Sequence, residues 1–520
     1  MDKKKIITIS LFSIFLLLGA ILSIAYAYFK ARVSNLESSS TISIEAGEMS
    51  ITYEGITGLI TANKIVPNWS TTKTFTLKGI NNTQANNVNT DNNLYYKIGI
   101  VVDNNTFSEG SLTYTLNKDS SSSSNGQMAD SKTGTIPSSG TKFIATGYFS
   151  ETSTEVSHTY NLTIAFPDTG EDQSDDQGAS FACHVTVEQG EAPKYVARML
   201  KKLYSSKIKT NGVTEDGLEE DDTPDKNLRY TGANPKNYIS FNDETWRIIG
   251  VFNNIATIDE NGEEKKESLV KIVRNDSLGD YSWDSSESST NRGWGVNEWS
   301  QADIMYELNC DGSGSKAYCR SDIEEGYLSN LTTGTTTWYN SLDNTKNGTY
   351  DFSKNIKSSW VDKVAKVRWN TSGTTYGASA LNSYNQERST TLISTPSDNV
   401  PRTNTWEGKI ALIYPSDYGY ASTDTTCRNN MSSLTNNVFN CENENWLFNV
   451  VKQWTLSPNS GYAYRVFYVA LDGVVDYFRA NGAYGVRPAL FLKSDVVITS
   501  GDGSSTNPYK ISIGEEWKYE

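Results

Sequence analysis

The stretch WTLSPNSGYAYRVFYVALDGVVDYFRANGAYGVRPALFL, residues 454–492, decides the fold of the C-terminal half. Apolar Val466 and Val469, the Asp472-Gly473 turn signal and the closing GVRPALFL segment predict a β-hairpin within a rigid sheet. Aromatic and mixed polar residues lie between these positions in no periodic order. Such a mixture is typical of a recognition surface, because rings bring large contact area at low entropy cost. The alternative is that these are ordinary hairpin residues.

The same stretch resembles a known family. Its WTLSPNS start, VFYV core, DG turn and GVRPALFLKSDV ending are similar to the C-terminal domain of gut-bacterial surface proteins with a C-type-lectin-like fold. Formylglycine-generating enzymes and the variable proteins diversified by retroelements share that fold. The segment LRYTGANPKNYISFNDETWRIIGVF, which begins at Leu228, resembles the start of the same domain, so the resemblance covers residues 228–513.

The resemblance implies a ligand-binding surface at the positions that change in those variable proteins. These positions are Tyr462, Ala463, Tyr464, Arg465, Tyr468, Asp476, Tyr477, Phe478 and Ala483. The expected aromatic anchors are Tyr462, Tyr464, Tyr468, Tyr477 and Phe478. The expected polar contacts are Arg465, Asp476, Arg479 and Asn481. We therefore expect an extracellular protein or glycan as the partner.

Composition and charge restrict the classes of partner. The 520 residues include 46 basic and 61 acidic side chains, which gives a net charge of −15. Nucleic acid is not an expected partner, since phosphate binding needs a basic surface. Only 37% of the residues are hydrophobic, and many short strands with polar loops fit that composition. The expected fold class is mainly β with α+β.

The N-terminus predicts export. Lys3, Lys4 and Lys5 precede an uncharged run, residues 6–29, that would form about 36 Å of helix and cross a hydrocarbon core of about 30 Å. Residues 1–30 are thus a signal anchor that leaves the C-terminus outside the cell. Alternatively they are a signal peptide cleaved after Ala27, within an A-x-A pattern. Both outcomes place the protein at the cell surface or outside the cell.

Residues 31–190 predict an antiparallel β-sandwich of the jelly-roll or immunoglobulin-like kind. Apolar residues alternate with polar ones in several runs, for example at Leu94, Tyr96, Ile98, Ile100 and Val102. The AYAYFKARV and SSSTISIEAGEMSITY segments are similar to the camelysin and biofilm-fibre family. That resemblance implies a surface or matrix role with self-association through the sandwich.

The other segments follow from local signals. Residues 191–227 predict an amphipathic helix and an acidic linker, residues 228–513 the C-type-lectin-like domain, and residues 514–520 a tail. Asn242-Asp243 indicates a hairpin, and the ITSGDGSSTNPYKI segment indicates a terminal one. Ser300 and Asp303 form a capping-box pattern before a predicted helix, and a second helix is expected within residues 354–367.

Cysteine spacing fits an exported protein. The economical disulfide pairing joins Cys310 to Cys319 and Cys427 to Cys441, although four cysteines allow three connectivities. Cys183 shares the apolar phase of its strand, so we expect a buried free thiol.

Catalytic and metal sites have little support in the sequence. The only histidines, His158 and His184, belong to the N-terminal half, where an edge or solvent position is the default. No catalytic residue, metal ligand or cofactor is therefore predicted, and the residues indicate an adhesin rather than an enzyme. Two alternatives stay open. One is a structural extracellular matrix or fibre protein, and the other is a carboxylate-based glycan hydrolase.

Overall fold

A computed structural model gives the fold of the protein and describes residues 40–44, 49–55, 60–63, 65–81, 93–120, 122, 125–150, 152–190, 194–210, 212–286, 293–340, 346–390, 398–432, 441 and 443–513. The chain divides into two units, the second of which runs from Lys194 to Gly514. Within the described ranges, no helix has the length and apolarity needed to cross a bilayer. The signal-anchor prediction falls on residues 1–30, which lie outside those ranges.

The first unit consists mainly of β-strands. Strands β1 to β10 are Ser40–Ile44, Met49–Gly55, Ile60–Asn63, Trp69–Asn81, Leu94–Asn105, Thr113–Lys118, Lys132–Thr135, Gly140–Phe149, Thr152–Phe166 and Ser180–Gln189. One antiparallel sheet has the order β1-β2-β4-β9-β6-β7 and the other has the order β3-β10-β5-β8. A short 3-10 helix, Ser174–Asp176, precedes β10.

A single apolar core is shared by the two sheets of this unit. Phe75 and Leu162 contribute to it from the first sheet, and Ile98 and Val185 from the second. The period-2 alternation in the sequence produces this arrangement, because every second side chain of a strand points to the same face. Cys183 is a buried free thiol as predicted, and its burial raises the pKa to about 12.

His158 differs from its predicted position at an edge or in solvent. Its side chain is buried, and its ring stacks on Phe149 with 4.2 Å between the centroids. The ring nitrogens lie 2.6 Å from the Tyr96 hydroxyl and 2.7 Å from the carbonyl oxygen of Asn125. Burial lowers the pKa of this imidazole. These two hydrogen bonds make burial possible, and the sequence gives no local signal for either.

The second unit contains strands and short helices. Strands β11 to β28 are Leu218–Glu220, Leu228–Tyr230, Tyr238–Phe241, Glu244–Ile258, Glu264–Arg274, Asp280–Ser282, Thr335–Tyr339, Lys346–Asp351, Val367–Asn370, Thr405–Gly408, Ile410–Ala411, Gln453–Pro458, Arg465–Val469, Val475–Arg479, Ala483–Gly485, Ala489–Phe491, Val496–Ser500 and Lys510–Ile513. Helices α1 to α6 are Val196–Lys207, Asp303–Asn309, Ser358–Val361, Ala380–Glu387, Pro415–Tyr420 and Thr425–Asn429. Two 3-10 helices are Trp299–Gln301 and Phe352–Lys354.

Two large sheets organise the described part of the second unit, and β17–β18 and β27–β28 form two-stranded sheets beside them. The larger follows the order β11-β12-β14-β15-β26-β21. Strands β13 and β19 also pair with β14, and β20 pairs with β19. The smaller, with the order β16-β25-β22-β23-β24, contains the 454–492 stretch up to β25. The predicted hairpins are present: Asn242 and Asp243 both have a φ of 59° between β13 and β14, and β27 pairs with β28.

The segment predicted as a helix and acidic linker belongs to the second unit. Helix α1 buries Val196 and Leu200 in the core of that unit, and Lys201 donates to Asn253 at 2.9 Å. The acidic run does not form a flexible boundary, because β11 pairs with β12 and Asp221 is buried. The linker prediction was wrong because hydrogen bonds from Arg229 and its neighbours compensate the buried Asp221 carboxylate.

The two predicted helices are shorter than expected. Ser300 does not form the predicted capping box, because its hydroxyl donates to Glu298 and α2 begins after Ala302 without a side-chain cap. Within residues 354–367 only α3 is an α-helix, and β19 begins at Val367. Most of the described tryptophans fill the core of the second unit.

Candidate ligand-binding face

The β23–β24 hairpin carries most of the residues predicted to bind a ligand, and its register divides them between two faces. Because successive side chains of a strand point to opposite faces, the register assigns each of them to one side. Side chains on one face are Arg465, Phe467, Tyr477 and Arg479. Side chains on the other face are Val466, Tyr468, Asp476 and Phe478. The predicted single surface is therefore two surfaces.

The first of these, here named the Tyr462 face, carries a continuous line of five rings. It comprises Trp294, Tyr376, Tyr462, Tyr464, Arg465, Tyr477 and Arg479. The distances between the centroids of successive rings are 5.3 Å for Tyr376–Tyr477, 5.9 Å for Tyr477–Tyr462, 6.0 Å for Tyr462–Tyr464 and 4.9 Å for Tyr464–Trp294. Tyr376 is 52% exposed and Tyr462 is 42% exposed. These rings remain accessible while they support one another.

Two guanidinium groups lie on this line of rings. The Arg465 guanidinium carbon lies 4.1 Å from the Tyr462 centroid and 5.0 Å from that of Tyr477. Arg479 covers Trp294, also at 4.1 Å. Cation–π contacts at these distances hold both side chains against the rings. The face thus combines exposed aromatic area with two positive charges.

A buried amide fixes the loop that carries Tyr462 and Tyr464. The side-chain nitrogen of Asn297 donates to the carbonyl oxygens of Tyr462 at 2.6 Å and Arg465 at 2.9 Å. Its backbone N–H donates to the carbonyl of Ala463 at 3.0 Å. Arg402 donates to the same Ala463 oxygen at 2.8 Å and to the side-chain oxygen of Asn297 at 3.1 Å. The loop is consequently pre-organised, which lowers the entropy cost of binding.

A pair of buried carboxylates supports the segment that carries Trp294. Asp284 accepts a hydrogen bond from the backbone N–H of Val296 at 2.6 Å, and Asp303 accepts one from that of Ser285 at 2.7 Å. Burial, together with the negative charge of Asp303, raises the pKa of Asp284 to about 7. Arg320 donates to Asp303 at 2.6 Å, and its positive charge offsets part of the repulsion between the two carboxylates. These residues position the face and do not form part of it.

The second surface, here named the Phe478 face, is smaller and more enclosed. It comprises Lys452, Tyr468, Asp476, Phe478 and Tyr484. Phe478 is 37% exposed, and its ring lies 5.6 Å from that of Tyr484. The ammonium group of Lys452 lies 4.9 Å from the Tyr484 centroid. Most of the contacts on this face are internal.

Two of the predicted site residues are buried, so the expectation that they contact a ligand was wrong. Tyr468 is 6% exposed, because its ring packs against Tyr484 at 4.6 Å. Asn481 is 1% exposed and donates to the carbonyl of Gly293 at 2.6 Å, which holds the Trp294 segment in place. Ala463 and Ala483 are half-buried, and Ala483 pairs with Ser282 in the β16–β25 ladder.

The line of rings also includes two residues that the sequence did not assign to the site. Tyr376 comes from the loop after β19, and its hydroxyl donates to the carbonyl of Ser432 at 2.9 Å. Trp294 lies in the segment before α2, and its ring contacts Tyr464. Neither has a local sequence signal, since only the tertiary fold brings them to the hairpin.

Other residues of interest have structural roles. The disulfides Cys310–Cys319 and Cys427–Cys441 are formed as predicted. Arg487 is buried and donates to the carbonyls of Arg274 and Leu447.

An ionic cluster lies in the core of the second unit. Asp417 accepts hydrogen bonds from Arg229 and Lys271, both at 2.6 Å, and Arg229 also pairs with Asp221 at 2.9 Å. All four side chains are at most 2% exposed. The cluster connects elements of the core. Because it is closed to solvent, a ligand has no access to it. Across the described part of the chain, no group of three or more acidic, histidine or cysteine side chains is arranged to hold a metal ion.

Comparison with known protein families gives a match within the second unit. The family described as Domain of unknown function (DUF6273) matches residues 381–494. The matched segment includes the β23–β24 hairpin, and Trp294 and Tyr376 lie before it. No curated protein and no solved structure matches the chain.

Proposed function

We propose that the chain is an exported cell-surface binding protein, an adhesin, whose Tyr462 face contacts an extracellular ligand. The observation that carries this proposal is the line of five rings with two guanidinium groups on a pre-organised hairpin. Tyrosine, tryptophan and arginine are the residues that dominate binding energy at protein surfaces. The Asn297 and Arg402 contacts keep the loop in place before a ligand arrives.

In this proposal the remaining segments export and present the face. Residues 1–30 tether the chain to the membrane or are removed near Ala27 during secretion. The first unit, proposed as a β-sandwich of the camelysin type, serves as a stalk or assembly module. The second unit is proposed to be a C-type-lectin-like domain, and the 462–484 segment to correspond to the changeable surface of retroelement-diversified proteins. The resemblances in the sequence support these assignments.

The experiment measures binding of the full chain to cultured epithelial cells, bacterial cells and an immobilised glycan panel. Changing Tyr462 and Tyr477 together to Ala should weaken binding at least about tenfold, because both rings form the centre of the face. The matched control, Phe478→Ala on the opposite face, should bind as the natural chain does. The proposal fails if the double variant keeps its affinity, or if only Phe478→Ala loses it, while thermal melting shows both variants folded.

A further inference from the structure

Two arginines of the Tyr462 face lie directly opposite each other. Arg465 and Arg479 are register partners in the β23–β24 ladder, so their side chains leave the same face of the sheet. Like charges at directly opposite positions destabilise a strand pair. Cation–π stacking on Tyr462 and Trp294 directs the two guanidinium groups to different rings. The hairpin therefore keeps two positive charges together at a cost in stability.

The described part of the chain offers no acidic partner to either guanidinium group. Among the described residues, no carboxylate lies within ion-pair distance of Arg465 or Arg479. The nearest acid on the hairpin, Asp476, points to the opposite face and accepts from the Tyr468 hydroxyl at 3.4 Å. Seven other arginines of the second unit pair with carboxylates, namely Arg229, Arg274, Arg320, Arg368, Arg388, Arg402 and Arg428. Arg247 and Arg487 lack such a partner, but both are buried and donate to amide or carbonyl oxygens. In a chain with 61 acidic residues, two unpaired arginines on one exposed face are an exception.

The contacts of these arginines determine which ligand chemistry they accept. Each guanidinium carbon lies 4.1 Å from a ring centroid, and neither guanidinium donates a side-chain hydrogen bond to a described residue. The N–H edge of a guanidinium is a planar fork which matches the two oxygens of a carboxylate. The rings beside it offer flat apolar area suited to the C–H face of a sugar ring. The face thus presents donors for carboxylates next to platforms for sugars.

The size of the face favours a chain segment over a globular partner. Seven side chains form it, whereas a stable interface between two proteins takes about 20 to 30 residues a side. Each ring contacts the next from Tyr376 to Trp294, so the face offers a series of successive contacts to an extended polymer. We infer that the Tyr462 face binds a polysaccharide that carries carboxylates on its sugar rings, an inference that rests on the proposed function.

The test uses the full chain and three immobilised polysaccharides: polygalacturonate, alginate and hyaluronan. The matched control for each polymer is its methyl ester, which keeps the sugar backbone and removes the charge. The natural chain should bind at least one acidic polymer about tenfold or more tightly than its ester, with an affinity that falls as salt rises. Equal binding to acid and ester, or binding to none of the three, would overturn the inference.

Variants connect this selectivity to the arginines. Arg465→Gln with Arg479→Gln should remove the preference for the acid over the ester, while the melting temperature stays close to that of the natural chain. Arg465→Lys with Arg479→Lys should keep only part of the preference for the acid, since a lysine has the positive charge but not the planar pair of N–H donors. Poly-L-glutamate is the peptide control, and tighter binding to it than to every polysaccharide would contradict a sugar ligand.

The outcomes also separate this inference from the proposed function. If the glutamine variant binds cells as the natural chain does while Tyr462→Ala with Tyr477→Ala does not, the face binds a ligand but not through carboxylates. If neither variant changes binding to cells, the proposed function fails together with the inference.

Discussion

Asn297 donates its side-chain amide to the carbonyl oxygen of Tyr462 at 2.6 Å, so a buried residue of one segment fixes the loop that carries Tyr462 and Tyr464. Asn297→Ala removes this bond and the bond to the Arg465 carbonyl. We expect unfolding to become easier by about 1–3 kcal/mol, because a buried acceptor loses its partner. Ligand affinity should fall as well, since the loop must then be ordered on binding.

Thermal unfolding and cell binding check this prediction, with Asn261→Ala as the control because Asn261 lies exposed in the turn between β14 and β15. Unchanged affinity in a variant with the expected loss of stability would contradict a positioning role for Asn297.

The buried Asp284 predicts a pH dependence of stability. Burial and the charge of Asp303 raise its pKa to about 7 in the folded chain, against about 3.9 for an unfolded aspartate. The folded state therefore binds this proton more tightly, and the resulting stabilisation is complete below about pH 4 and is lost as pH rises through 7. Asp284→Asn removes this contribution.

The difference in unfolding free energy between the natural chain and Asp284→Asn should fall from pH 4 to pH 7, by at most about 1.4 kcal/mol per pH unit. Denaturant titrations at several pH values measure it. A difference that is constant across this range would show that Asp284 titrates normally.

The ionic cluster around Asp417 predicts a large effect of one substitution. Asp417→Ala leaves the ammonium of Lys271 and part of the charge of Arg229 buried without a partner. We expect a loss of about 3–5 kcal/mol in unfolding free energy. The control Asp495→Ala removes an exposed acid and should change stability by no more than about 0.5 kcal/mol. Equal stability of the two variants would disprove a supporting role for the cluster.

The disulfide assignment predicts how many thiols react. The chain has five cysteines, of which four are paired and Cys183 is free and buried. A thiol reagent should label none of them in the native protein, one after denaturation without reductant, and all five after reduction. Mass spectrometry identifies the labelled residues. Labelling of any other cysteine before reduction would refute the pairing.

Removal of the Cys310–Cys319 bridge gives a second test of the same assignment. Changing both cysteines to Ser should lower the unfolding free energy by about 2–3 kcal/mol, because the bridge restricts the unfolded chain. Equilibrium unfolding with and without reductant measures this loss. Reductant also opens the Cys427–Cys441 bridge, so the reduced natural chain should be less stable than the oxidised Ser variant. A Ser variant as stable as the oxidised natural chain would contradict the prediction.

Much of the fold follows from local patterns in the sequence. Alternation at Leu94, Tyr96 and Ile98 places β5 and its buried face, and Asn242-Asp243 adopts the positive φ values that a tight hairpin needs. The acidic run around Asp221 did not reveal its burial, because the compensating hydrogen bonds come from Arg229 and its neighbours.

The candidate site was predictable only in part. The period of two already separates Arg465 and Phe467 from Val466 and Tyr468, so the division into two faces was present in the sequence. The position of Tyr376 on this face was not predictable from the sequence, because its loop reaches Tyr477 only through the tertiary fold. Burial of Asn481 likewise depends on a carbonyl far along the chain, that of Gly293.

Hydroxyl-radical footprinting of the full chain, free and bound to the cells or polymer it recognises, tests the central claim most directly. The account predicts that ligand protects Tyr376, Tyr462, Tyr464 and Tyr477 from oxidation and leaves Phe478 unchanged. Protection confined to Phe478 and Tyr484, or to the first unit, with the four tyrosines still reactive, would contradict it.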